Sequence, residues 1–249
     1  MLDFFEEMAF EFTQDIFDRY LGLLGGSARG LSDWEESFRQ KLGTTDGMSV
    51  LVFNANPFTN GHRYIAEIAS RRSTRVLVFV IQGKPESGSR GNHENSGIEL
   101  PFSDRLELTQ ACLSDLENVT VLPSGPYIIS RSDFPAGFLS EYLGNAPAHA
   151  ALDSMVLCHV CKALGIKAAF AGDEPRDELS EIHLNALRAE CRKNGIVLRV
   201  AERRRLGERS ISSALVREAL DSKRPDDVKA LVPSLVYDYL QGRFSASLS

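Results

Sequence analysis

Cysteines and long apolar runs are scarce in this sequence. It has four cysteines among 249 residues, which are too few and too scattered for a disulfide framework. No apolar run approaches the roughly 18 residues that span a bilayer. The first residues, MLDFFEEMAFEF, include acids where a signal peptide needs bases. We therefore predict a cytoplasmic protein with buried thiols and no membrane association.

Positive charge is not in excess either. The chain has 28 Lys and Arg against 34 Asp and Glu, a formal net charge of -6 and a pI of about 5.5. This balance gives no general surface for polyanions, so we predict no nucleic-acid partner. Any phosphate ligand must be held by a local site. The composition, 43% hydrophobic and 25% charged, is typical of a globular protein with a real core.

One pair of cysteines has the spacing of a metal or redox motif. Cys158 and Cys161 form a CxxC, but they lie in a segment whose apolar residues recur at helical spacing. A zinc site of this type needs a second ligand pair, and the sequence offers none. We interpret the motif as one face of a packed helix and predict no metal bound by protein ligands.

The first 47 residues are predicted to form a helical appendage followed by a linker. Residues 2–24 read as an acidic amphipathic helix, and a glycine-rich turn follows. Ser32 and Glu35 have capping-box spacing, which predicts the start of a second helix. The linker is GTTDG, residues 43–47. The domain organisation is thus predicted as 1–47 and 48–249.

From residue 48 the pattern alternates between strands and helices. Strands are predicted at 49–54, 75–81, 119–122, 167–171 and 196–200, and helices at 61–71, 103–114, 150–164 and 178–193. Residues 212–241 read as all helical. Apolar strands separated by helices indicate an α/β fold, a doubly wound Rossmann-like parallel sheet with a helical C-terminus. The polar segment 83–100 is either a lid or a tolerated insertion.

The turn after the first strand, NANPFTNGHRY, has features of a phosphate site. In such a sheet this turn lies at the ligand crevice, and the next helix offers free N–H groups. There we expect His62, facing solvent, to donate to a phosphate oxygen, with a hydroxyl from Thr59. Gly61 would let the backbone come close. An ordinary capped helix start explains the same residues when they are taken alone.

A second helix start, ISSALVR at 211–217, carries similar chemistry. Ser212 and Ser213 occupy cap and first-turn positions, and Arg217 follows about one turn later. Simple N-capping with a solvated arginine is the alternative. Two such helix starts in one sheet favour an anion-binding site.

The two motifs together resemble the HxGH-type nucleotidyltransferases. Further blocks, in the same order, are similar to the catalytic domain of [citrate (pro-3S)-lyase] ligase: PFSDRLEL at 101–108, NVTVLPSGPYIISRSDFPAGFL at 118–139, HAALD at 149–153 and GDEP at 172–175. The resemblance covers nearly all of the predicted second domain.

The resemblance implies a two-step ligase reaction. ATP and acetate, or another small carboxylate, would give an acyl-adenylate and pyrophosphate. The acyl group would then pass to the prosthetic-group thiol of the citrate lyase acyl carrier subunit. Mg²⁺ would be held mainly by the ATP phosphates. Because the carboxylate is itself the nucleophile, this chemistry needs positioning and charge neutralisation but no catalytic cysteine or serine.

The resemblance also implies roles for single residues. Thr59 and His62 would contact the triphosphate, with His62 acting at the α-phosphate. Ser212, Ser213 and Arg217 would hold the departing pyrophosphate.

Other positions carry two interpretations each. Lys84 is either a phosphate-binding lysine or a solvated one. Asn54 and Asn56 bind either substrate or the backbone of their own turn. Gly172 and Asp173, with Glu174, follow a strand at the ligand edge, where adenine or ribose recognition is expected.

The remaining blocks suggest structural roles. Ser103 is interpreted as a helix cap, and Arg105 as a phosphate or ion-pair contact. His149 and Asp153 are spaced for a hydrogen bond within one helix. Arg131 is a candidate contact for the acyl carrier.

Two departures from the family keep other functions open. The family usually has an acetyltransferase-like domain where residues 1–47 stand here, and Ala214 replaces a common serine or threonine. The alternatives are an adenylyltransferase acting on a phosphopantetheine or nucleotide acceptor, and a nucleotide-binding protein without turnover.

Overall fold

The computed structural model describes residues 28–82, 99–128, 146–173 and 178–244. The helices are α1 (Ala28–Leu42), α2 (Asn60–Arg72), α3 (Phe102–Leu113), α4 (Ala146–Ala163), α5 (Glu178–Lys193), α6 (Ser213–Asp221), α7 (Pro225–Leu231) and α8 (Ser234–Arg243). The strands are β1 (Met48–Phe53), β2 (Arg75–Val80), β3 (Val119–Pro123), β4 (Ala168–Gly172), β5 (Val197–Ala201), β6 (Arg205–Leu206) and β7 (Arg209–Ser210). Strands and helices predicted after residue 48 are found within a few residues of their expected bounds.

The main sheet is parallel, with β1 at its centre. Its strand order is β3-β2-β1-β4-β5. The chain winds from β1 to β3 on one side and then crosses to β4 and β5 on the other. The order therefore reverses between β1 and β4, and open parallel sheets bind ligands beyond the carboxyl ends of the strands at such a reversal. The predicted doubly wound α/β fold is confirmed.

Two apolar layers cover the faces of this sheet. Because side chains alternate along a strand, Val50 and Leu77 pack with α1, α4 and α5 in one layer. Leu51 and Val78 pack with α2, α3 and the C-terminal helices in the other. The C-terminal segment is helical as predicted, although it is divided into α6, α7 and α8. The short antiparallel pair of β6 and β7 was not predicted.

Helix α1 is part of the first layer. Phe38 is 5% exposed, and its ring lies 4.5 Å from that of Trp34 and 5.5 Å from that of Phe79 on β2. The capping-box prediction at Ser32 is wrong, because α1 already includes Ala28 and Ser32 lies inside it. The predicted first helix lies outside the described residues, and the domain boundary at 48 stays a prediction.

A second cap was also predicted wrongly. Helix α3 begins at Phe102 with Pro101 in the cap position, so Ser103 lies within the first turn and donates to Asp104 Oδ1 over 3.0 Å. Proline fixes the φ that a helix entry needs, which explains why the start precedes the serine.

The cysteines behave as predicted. All four are free and buried, and Cys158 and Cys161 face the first layer from α4. Over the described ranges, no helix is long and apolar enough to cross a membrane.

Candidate active site

A cavity of about 1030 Å³ opens at the carboxyl ends of β1 and β4. The predicted site residues that line it are Asn54, Thr59, Gly61, His62, Gly172, Ser212, Ser213 and Arg217. They come from three separate stretches of sequence that the strand order brings to one edge. Asn56 and Asp173 do not line this cavity. Lys84, Arg131 and Glu174 lie outside the described residues.

Thr59 and His62 form a reciprocal capping box at the start of α2. Thr59 is the N-cap, and its hydroxyl accepts from the His62 backbone N–H over 3.3 Å. In return, Nδ1 of His62 accepts from the Thr59 backbone N–H over 3.0 Å. A histidine here takes the place of the usual glutamate or glutamine. Since Nδ1 is an acceptor, the proton of the neutral ring lies on Nε2.

The His62 ring is packed as well as capped. Its centroid lies 4.8 Å from the ring of Phe53 and 5.4 Å from that of Phe58. Burial, and then the nearby Arg203 cation, lower the pKa of His62 to about 3. The residue retains partial exposure because it lines the cavity. The expectation of a solvent-facing corner therefore needs correction: His62 is a neutral N–H donor set in an apolar wall.

The two predicted helix starts contact each other. Ser212 caps α6, accepting from the Leu215 N–H over 3.2 Å. Ser213 Oγ donates to the Pro57 carbonyl over 2.9 Å, and Arg217 Nη1 donates to the Asn56 carbonyl over 2.5 Å. Ser213 and Arg217 thus hold the first corner in place while they line the cavity, and Ser212 caps its own helix.

Gly61 is required where the two segments meet. A Cβ at this position would lie 2.6 Å from the Ile211 carbonyl oxygen, far inside van der Waals contact. The sequence predicted that this glycine allows a close backbone approach, and the approach observed is to residue 211.

Buried Arg105 fixes the loop that follows β1. Its Nη1 donates to the Asn54 carbonyl at 2.6 Å, to Asn54 Oδ1 at 2.9 Å and to the Ile81 carbonyl at 2.9 Å. Its Nε donates to the Leu100 carbonyl over 3.3 Å. Asn56 Oδ1 accepts from the Leu100 N–H over 3.0 Å. Both asparagines therefore bind protein groups outside their own turn, which neither interpretation gave, and Asn54 also lines the cavity. The role of Arg105 as a phosphate or ion-pair contact stays a prediction.

Arg203 is a cavity residue that the sequence analysis missed. It follows β5 and lies against Gly172, where an added Cβ would be 3.0 Å from Arg203 Nε. Asp173, next to that glycine, donates its backbone N–H to the Ala201 carbonyl over 2.9 Å. The signal was present, since Arg203 follows a strand that ends at the ligand edge.

Asp153 lies near a second histidine at the cavity. Its Oδ2 is 4.0 Å from His183 Nδ1 on α5, and both residues line the cavity. The predicted contact between Asp153 and His149 stays a prediction, because the His149 side chain lies outside the described part of the chain. Among the described residues, no group of three or more His, Cys, Asp or Glu is placed to hold a metal ion.

Comparison with known proteins gives a consistent result. The family model of the citrate lyase ligase C-terminal domain matches residues 48–240. The chain is 29% identical over 225 residues to the [citrate [pro-3S]-lyase] ligase of Escherichia coli K12, covering 88% of this chain and 60% of the relative. It is 30% identical over 235 residues to the same-named protein of Haemophilus influenzae, covering 90% and 66%. The chain thus spans less than two thirds of these relatives.

A solved structure supports the fold alone. Pantoate-beta-alanine (pantothenate synthetase) of Thermus thermophilus superposes with a TM-score of 0.50 at 15% identity, covering 85% of this chain and 77% of that one.

Proposed function

Because the chain belongs to the citrate lyase ligase C-terminal domain family, we propose that it is an ATP-dependent ligase for a small carboxylate. Acetate is the proposed substrate. The acceptor is the prosthetic-group thiol of the citrate lyase acyl carrier subunit. The family match identifies the domain, and the reaction with its substrate and acceptor is what we propose.

One observation supports the chemistry more than any other. The neutral His62, with its proton on Nε2, lies at the start of α2 beside the start of α6, around a single cavity. Free N–H groups and dipoles at two helix starts suit a polyphosphate. We place the ATP phosphates there, with Nε2–H of His62 donating to the α-phosphate.

The first step is then a displacement at phosphorus. A carboxylate oxygen of acetate bonds to the α-phosphorus, and the bond from that phosphorus to the bridging oxygen breaks. The electron pair leaves with pyrophosphate, near Ser212, Ser213 and Arg217. No protein nucleophile is needed, since positioning and charge neutralisation supply the catalysis.

The second step transfers the acyl group. The thiol sulfur of the carrier bonds to the acyl carbon, AMP leaves with the electron pair of the broken bond, and the thiol proton passes to solvent. Mg²⁺ bound to ATP would neutralise part of the phosphate charge. We propose that the phosphates themselves are its main ligands, because hard oxygens suit this ion.

Pyrophosphate exchange tests the proposal. Labelled pyrophosphate should enter ATP only when acetate is present, and His62→Ala should reduce the exchange about a hundredfold or more, as removal of a key transition-state donor does. When the carrier subunit is then added, the mass of its prosthetic group should increase by that of one acetyl group.

The other outcomes identify the alternatives. Exchange that requires a phosphopantetheine or nucleotide product, and not acetate, would replace the proposal with an adenylyltransferase. ATP binding without exchange on any of these substrates would indicate a nucleotide-binding protein without turnover.

A further inference from the structure

The Arg203 side chain crosses the end of β4 toward the first helix start. A Cβ added to Gly172 would lie 3.0 Å from Arg203 Nε and 3.3 Å from its Cγ. The same Cβ would lie 2.8 Å from Ile65 on α2. The arginine therefore passes over a residue without a side chain and reaches the cavity wall that includes His62.

Arg203 and Arg217 serve different parts of the cavity. Arg203 is the cation whose charge helps to lower the pKa of His62. Arg217 donates to the Asn56 carbonyl, and the charges acting on it are those of Asp221 and Glu99. An anion at Nε2 of His62 would therefore lie in the field of Arg203.

Because His62 is neutral, positive charge beside a bound phosphate must come from other groups. A neutral imidazole donates a hydrogen bond but brings no positive charge. Displacement at a phosphate needs neutralisation of its oxygens, and in a partly enclosed cavity a fixed cation does this better than water. A guanidinium also fits two phosphate oxygens at once.

We propose that Arg203 is a further phosphate-binding residue, which neutralises the phosphate held at Nε2 of His62. Identifying that group as the α-phosphate of ATP rests on the proposed function. The binding role itself does not, since AMP, which keeps only the α-phosphate, would place that group in the same field without any reaction.

The matched experiment compares neighbouring arginines. Arg204 is exposed and outside the cavity, so Arg204→Gln removes the same charge at nearly the same place. We expect Arg203→Gln to weaken ATP and AMP binding roughly tenfold to a hundredfold, the loss typical of a charge-assisted contact. Arg204→Gln should stay within about twofold of wild type, as expected for an exposed charge. Calorimetric titration of all three proteins measures this.

Two further readouts separate a charge role from a packing role. Arg203→Lys should restore part of the affinity, since lysine keeps the charge but does not fit two oxygens at once, and the salt dependence of AMP binding should flatten in Arg203→Gln but not in Arg203→Lys. NMR titration should show the pKa of His62 rising in Arg203→Gln, because a cation that opposes protonation has gone. Equal losses with Gln and Lys would overturn the charge role.

The outcomes also distinguish this inference from the proposed function. Wild-type AMP affinity in Arg203→Gln overturns the inference even when acetate-dependent exchange occurs. Absence of exchange in the wild type, with the binding loss still seen, would reject the ligase reaction and leave Arg203 in its assigned role.

Discussion

A histidine at the third position of a capping box is held to its own helix by two hydrogen bonds. In His62 this arrangement determines which ring nitrogen carries the proton, since Nδ1 accepts from the Thr59 N–H. The local motif thus does more than start a helix: it presents an N–H donor of fixed direction to the cavity.

Protonation of His62 should destabilise the fold in acid. Its pKa is about 3 in the folded protein and about 6.5 in an unfolded chain. The unfolded state therefore binds more protons between these values, so this contribution is complete above about pH 6.5 and is lost as pH falls toward about 3. We expect an extra slope of up to about 1.4 kcal/mol per pH unit in the free energy of unfolding.

Urea unfolding at pH 7, 6 and 5 measures this slope. His62→Gln is the matched control, because glutamine preserves the capping box but does not titrate. If the free energies of unfolding of the wild type and of His62→Gln changed equally with pH, His62 would not be held neutral in the folded protein. The rate of pyrophosphate exchange into ATP should likewise not fall near about pH 6.5 because of His62, since that is the pKa of an unperturbed histidine.

For single residues, the sequence motifs identified members of the candidate site but not the contacts that they make. His62, Thr59 and the ISSALVR residues were found because two helix starts at one sheet edge have a recognisable pattern. Arg203 was missed, since its path depends on the absence of a side chain at Gly172. The carbonyl acceptors of Arg105 were not predicted, because they belong to three separate loops.

Between elements, the start of α2 and the segment before α6 form one unit. Gly61 touches the Ile211 carbonyl oxygen, while Ser213 and Arg217 bond to the turn at 56–57. The relative position of the two helix starts is therefore set by backbone contact, which no single motif predicts.

Gly61→Ala should separate these two elements. The new methyl group would lie 2.6 Å from the Ile211 oxygen, so the backbone must shift, at a cost of about 1–3 kcal/mol in stability. Because the groups proposed to bind phosphate would move apart, ATP affinity should fall as well. Thermal unfolding and calorimetric ATP titration measure both effects.

Gly242→Ala provides the control. Gly242 lies in α8 with nothing within 4 Å of an added Cβ, so alanine there should stabilise the protein by about 0.5–1 kcal/mol. Unchanged ATP affinity in Gly61→Ala would show that the two segments tolerate separation.

Element types were predictable where apolar periodicity and turn residues agreed. Helix α5 was predicted with the bounds that the structure shows, since Asn194 and Gly195 end it and Gly195 has a φ of +68°. The two capping errors, Ser32 and Ser103, arose because each serine lies inside a helix that includes earlier residues.

In the molecule as a whole, the sheet is covered on both faces, and α1 belongs to that cover. Its residues Leu31, Phe38 and Leu42 are in the same apolar layer as Leu77 and Phe79 of β2. The contacts thus tie residues 28–42 to the sheet, although the sequence suggested an appendage.

Phe38→Ala tests whether α1 is integral to the fold. Removing a ring that is 5% exposed should lower the free energy of unfolding by about 3–5 kcal/mol. Urea unfolding, followed by far-UV circular dichroism, measures the loss. Leu235→Ala, at a position 46% exposed, should change little. If the main urea-unfolding transition were unchanged in Phe38→Ala, α1 would be an appendage that folds independently of the sheet.

The hydrogen bond between Arg217 and the Asn56 carbonyl joins residues 161 positions apart. Contacts of such long range form only after most of the chain is available. A nascent chain on the ribosome that has not yet released α6 therefore lacks the part of the cavity wall that this helix supplies. Any ligand that needs the finished cavity binds only late in synthesis and stabilises the completed chain over its partly synthesised forms.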